Sequence, residues 1–187
     1  MRAQDVLADT VLASRDLLLR YLTGFTDENR ARQAMNLPNH LIWILGHLAF
    51  TLNRAAEFLD GKPVPASDFF ENDTTADRTT SYCAAEIRIG SEPVADPDAY
   101  PSLERGRAIF EAGCMRLAEA VRRTDESALA REVDWGTQRI RLWALVQRVI
   151  FHNGMHAGEI VDLRRALGME RVIKLPGTND SPSRARE

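Results

Sequence analysis

Four segments of this 187-residue chain repeat their apolar residues every three or four positions, and no convincing strand-type alternation of apolar and polar residues accompanies them. That combination requires helices that bury their stripes on one another, so the chain reads as all-α, with a four-helix bundle as its natural architecture. The first segment, about residues 3–23, lines up Leu7, Val11, Leu18 and Leu22, and Gly24 supplies a left-handed stop. The second, about 40–59, begins after Pro38 and Asn39. It carries Trp43, Ile44, His47, Leu48, Thr51, Ala55 and Phe58 on one side and ends at Asp60-Gly61. Ser102 can cap the third, about 103–123, whose inward face is Leu103, Phe110, Cys114, Leu117 and Val121. After a turn at Trp135-Gly136, the fourth runs from about 140 to 167 through Leu142, Leu145, Val149, His152, His156, Ile160 and Leu163 to Gly168.

Between the second and third helices, residues 62–101 are broken by Pro63, Pro65, Pro93, Pro97 and Pro101. So long a loop in a compact domain either hides short strands and turns or covers a functional opening, and the second reading is favoured here. Gly106 and Gly113 either admit a close neighbour or are simply tolerated, the cheaper explanation. One domain spanning 1–175 is expected, followed by a flexible tail over 176–187 that starts with Pro176 and is rich in Ser and Pro.

Composition narrows the partners. With a net charge of -3 and Arg and Lys dispersed among Asp and Glu, no face for nucleic acid is indicated. The longest apolar run, 41–52, is interrupted by His47 and falls short of the roughly 20 residues a membrane span needs. Asp5 and Asp9 interrupt the apolar run a signal peptide would need, so a cytoplasmic protein with reduced Cys83 and Cys114 is expected. Cys114 reads as a small core residue; Cys83 is undecided.

The chemistry concentrates on the fourth helix. His152 and His156 stand four residues apart on an otherwise apolar stripe, with Cβ atoms roughly 5–6 Å apart, so both imidazoles can reach one ion. The best third ligand is His47, the one other histidine that combines an inward position with a different long helix. Three histidines leave a coordination position open, as catalytic metals require. For His47 alone, a core ring bonded to a carbonyl is the ordinary alternative, but three buried imidazoles without a shared purpose would be costly. His40, at the helix start, suits a capping or surface role.

Two other metal chemistries fail on their letters. A di-iron bundle places Glu three residues before His, and those positions here are Ile44, Val149 and Asn153. A zinc-protease helix needs Glu directly after its first His, where this chain has Asn153. Glu159, seven after His152, returns to the ligand face and is the candidate catalytic residue. It can orient a ring, accept a proton or bind the metal, unless it is an ordinary solvated side chain.

The segments NHLIWILGHLAF (39–50), GSEPVADPDAYPS (90–102) and HNGMHAGEI (152–160), in this order and spacing, resemble the DinB-like, or YfiT-like, superfamily of metal-dependent proteins. The resemblance reaches to about residue 170. It implies an up-down-down-up four-helix bundle, often a homodimer, with a divalent metal held at His47, His152 and His156. Zinc and nickel are the first expectations for that metal, with manganese or iron as alternatives. It further implies a small-molecule substrate and a low-molecular-weight thiol, in the manner of thiol-dependent S-transferases and isomerases. A dimeric stress-response or binding module with a structural or vestigial metal is the alternative. Where the family often has Gln, this chain has Glu159, which puts direct transfer of a relative's substrate in doubt.

Overall fold

The computed structural model describes residues 2–34, 36–71 and 75–173. The expected tail, and its boundary at 175, lie outside these residues. Four long helices dominate: α1 (Ala3–Arg20), α2 (Leu41–Asp60), α4 (Leu103–Arg123) and α6 (Leu142–Ala166), with two short ones, α3 (Ala84–Ile87) and α5 (Glu126–Ala130). Among the long helices α2 packs on α4 and α6, and α1 packs on the same two. None is long and apolar enough to cross a membrane.

The predicted stripes are the buried ones. Val11 and Leu18 of α1, Phe110, Cys114, Leu117 and Val121 of α4, and Leu142, Leu145, Ile160 and Leu163 of α6 join one core. The stops behave as glycine requires, with φ +84° at Gly24 and +71° at Gly168. Ser102 caps α4 by accepting from the Arg105 amide at 3.2 Å.

Three regions differ from the sequence reading. First, α2 is buried almost all round, from Leu41 to Ala49, rather than along one stripe. The long helices cover one side of it and the 62–101 segment covers the other. Second, that segment does hide short strands. Phe69–Phe70 (β1) and Tyr82–Cys83 (β2) pair in parallel, α3 follows, and a 3-10 turn spans Pro97–Ala99. Its anchor is Tyr82, fully buried against α2 and α4 with its hydroxyl donating to the Ile42 carbonyl at 3.1 Å. A Cβ at Gly46 would lie 2.6 Å from the Tyr82 ring, and one at Gly106 would collide with Ile42 and the Tyr82 hydroxyl. Gly106 therefore makes room for a close neighbour. Gly113 is tight as well, with a Cβ there 3.1 Å from the Asn53 amide.

Third, the approach to α6 is an antiparallel hairpin, Glu132–Trp135 (β3) with Gln138–Arg141 (β4), turning at Gly136 with φ +61°. α6 consequently begins two residues later than its periodicity suggests. Its far end is fixed by the buried Arg164, whose guanidinium donates to the carbonyls of Tyr21, Thr23 and Glu170 and so ties α6 to the exit of α1. Both cysteines are free and buried, and burial pushes the Cys114 thiol far above its usual value, consistent with an inert core residue.

Candidate metal centre

The three histidines expected to act together do meet. His47 from α2 and His152 and His156 from α6 bring one nitrogen each within 4.8 Å of one another. The His152 Nε2 lies 3.2 Å from the Nε2 of His47 and 3.0 Å from that of His156. Two nitrogens bound tetrahedrally to one zinc ion at 2.0–2.1 Å would stand roughly 3.3 Å apart. Both distances from His152 are close to that spacing.

The tautomers follow from what stands behind each ring. His47 Nδ1 lies 2.7 Å from the carbonyl oxygen of Ile87, which can only accept, so Nδ1 carries the proton and Nε2 turns a lone pair inward. His156 Nδ1 lies 2.7 Å from Glu159 Oε2 and donates to it, with the same result. His152 therefore faces two acceptors with one ring nitrogen, while its own Nδ1 is buried without a hydrogen-bond partner. A single proton on the His152 Nε2 cannot satisfy both lone pairs well. A divalent cation among the three nitrogens would satisfy all of them, and on that test the residues fit such an ion.

Burial sets the electrostatics. It drives the His152 ring down to about 3, assisted by the imidazoles of His156 and His47, and it also lowers His47 despite the opposing Ile87 carbonyl. Both stay neutral and ligand-competent at neutral pH. Burial alone would raise the Glu159 carboxyl; hydrogen bonds from His156 and Asn39, with the charges nearby, hold it below the usual carboxylate value instead. Glu159 is thus an anion that fixes the orientation of His156. Of its three proposed roles, the geometry displays this one.

The α2 wall is built from aromatic rings tied to main chain. Trp43, four residues before His47, stacks on it with centroids 4.7 Å apart and planes 7° from parallel, and donates from Nε1 to the Glu86 carbonyl at 2.8 Å. His40 is the helix cap as expected, accepting from the Trp43 amide at 3.3 Å. It is fully buried rather than at the surface, with Nε2 3.0 Å from the Val94 carbonyl. Its desolvation lowers the ring to about 4. It takes no place in the histidine cluster. Residues 86–94 therefore brace the wall of the centre through carbonyls, a role no side-chain pattern could announce.

Exposure is uneven. His47 and His156 are 7% and 4% exposed, whereas His152 and Glu159 are half-buried, so the cluster opens toward solvent on the α6 side. Arg148, one turn before His152, is exposed at this side and donates to Gln138 of the hairpin at 2.8 Å.

Among curated proteins none matches. The crystal structure of a conserved protein from Enterococcus faecalis is similar in fold, with a TM-score of 0.68 and 17% identity over 89% of this chain and 97% of that one. The sequence profile of the DinB superfamily matches residues 11–160, which contain all three histidines and Glu159, and the chain belongs to that superfamily.

Proposed function

We propose that the protein is a divalent-metal-dependent enzyme acting on a small molecule, of the type that transfers or isomerises substrates with the help of a low-molecular-weight thiol. The single observation that carries this reading is the convergence of three Nε2 atoms, two of them on rings whose Nδ1 is engaged from behind by Ile87 and Glu159. His47, His152 and His156 would hold the ion. Zinc or nickel suits three imidazoles best, with manganese or iron as alternatives. When bound, such an ion supplies Lewis acidity that lowers the pKa of a coordinated thiol or water near neutrality.

The chain's own residues do the rest. Trp43 shields one face of His47 from water, Glu159 keeps His156 in its ligating tautomer, and the half-buried side at His152 gives substrate its approach. The same reading takes the four long helices as an up-down-down-up bundle, the assembly as a homodimer and the location as cytoplasmic. A second reading, a binding module with a structural metal, is favoured by one observation: the candidate acid–base group, Glu159, is already engaged with His156.

Metal analysis of protein purified without a polyhistidine tag tests the foundation. About one equivalent of a transition metal is expected after supplementation, and less than about a tenth removes both readings. A thiol-substrate screen then separates them. Thiol-dependent turnover lost in His47→Ala, with the fold retained, supports the enzyme; absence of turnover with every thiol and metal supports the module.

A further inference from the structure

Glu159 lies three residues after His156 on α6, and more than a third of its side chain is open to solvent. A carboxylate so placed has rotamers that point into water, and the 2.7 Å contact with His156 is one choice among several. What holds it is on the other wall. The Asn39 amide Nδ2 donates to the same oxygen, Glu159 Oε2, at 3.1 Å across 120 residues of chain. A carboxylate only accepts, so the amide must present its nitrogen here.

Asn39 is itself fixed from both sides. The preceding Pro38 carbonyl accepts from Gln33 Nε2 at 2.7 Å, and that nitrogen also reaches the Pro93 carbonyl at 3.1 Å. The following residue, His40, is the buried cap of α2, bonded to Trp43 and Val94. The short stretch 38–40 is therefore a rigid bracket, and its one side chain turned toward α6 ends on the carboxylate behind a ligand.

We propose that Asn39 is a positioning residue of the metal centre, holding Glu159 against His156 and thereby setting the affinity of the three-histidine site. The inference rests on the metal reading above. Two donors on one oxygen, Asn39 Nδ2 and His156 Nδ1, hold the carboxylate in the one rotamer that keeps it behind the ligand ring. The sequence marked Asn39 only as a helix-start signal.

The test uses cobalt(II) as a spectroscopic probe, titrated into full-length metal-free protein against a competing chelator. Wild type should show the visible bands of a low-coordinate cobalt site. Glu159→Gln should bind about 10–100-fold more weakly. Asn39→Ala should lose about three- to tenfold, the scale of one ordinary net hydrogen bond and less than the loss of the carboxylate through which it acts. Asn39→Asp, which keeps the side-chain volume but sets a second anion beside Glu159, should lose at least as much, and it carries the test if the alanine variant does not fold. The double variant Asn39→Ala with Glu159→Gln should be no weaker than Glu159→Gln alone, because Asn39 acts through the carboxylate. If Asn39 were only structural, the metal-free melting temperature would drop while cobalt affinity and spectrum stayed at wild-type values. That result, or losses that simply add in the double variant, overturns the inference while wild-type binding still stands. A wild type that binds no cobalt overturns the metal reading on which it rests.

Discussion

His47 on α2 and His152 on α6 offer chemically identical nitrogens, yet their surroundings have little in common. His47 is stacked on Trp43, bonded to the Ile87 carbonyl and 7% exposed. His152 is half-buried, and its Nδ1 has no partner among the described residues. One wall is preorganised by packing and main chain; the other has a single side-chain brace, Glu159, and it serves His156. The difference teaches where the centre is rigid and where it can adapt. A ligand ring held by a stacked indole and a carbonyl costs little to order when an ion arrives, whereas a ring with an unpartnered nitrogen must be ordered at that moment.

The largest test of that contrast is removal of the fixed ligand. His47→Ala should reduce bound metal from about one equivalent to below about a tenth, while His152→Ala retains measurable, weaker binding through the two braced rings; metal content after dialysis at equal metal concentration reads both. Equal losses would erase the distinction between the walls.

Metal removal comes next. An ion present at about 100 times its dissociation constant stabilises the native state by about 2.7 kcal/mol, or roughly 5–11 °C in a domain of this size, and calorimetry with and without chelator measures it. His47→Ala should show no such difference.

Acid then probes the α2 wall without metal. The folded His40 ring titrates near 4 and the unfolded one near 6.5, so the unfolded chain binds the extra proton between those values. Stability is complete above about pH 6.5 and falls as pH drops toward 4, by at most about 1.4 kcal/mol per unit for this group. Half-buried His152 adds a smaller, water-screened contribution in the same direction. Denaturant midpoints from pH 7 to 4.5 should decline less steeply in His40→Asn, which retains a capping oxygen but does not titrate.

The smallest effect belongs to Trp43→Phe. It keeps an aromatic ring against His47 and deletes the bond to Glu86, for an expected cost of about 1 kcal/mol and a metal affinity within a few-fold of wild type. A loss as large as that of His47→Ala would mean that the stacked ring does more than shield.

These contrasts also explain what could be read from the letters alone. Periodicity found the histidine cluster because i, i+4 spacing fixes a face, and His47 was the one other inward histidine on a separate long helix. It found the stops at Gly24 and Gly168 because only glycine is at ease at their φ values. It missed the hairpin before α6, although Glu132-Val133-Asp134-Trp135 alternates, because four residues of alternation also fit a loop. It underestimated the burial of α2 because the prolines of 62–101 concealed how firmly Tyr82 seats that segment. Asn39 and Glu159 were separated by 120 residues, a distance over which local pattern carries no information.

The carbonyls of Glu86, Ile87 and Val94 receive Trp43, His47 and His40 in turn. Every amino acid supplies a carbonyl, so substitutions along that strand of chain can change its chemistry freely as long as its path survives. The support of the α2 wall is therefore robust to point mutation and fragile to insertion or deletion. Transplanting the three histidines into another helical scaffold would have to reproduce a trajectory rather than a set of residues.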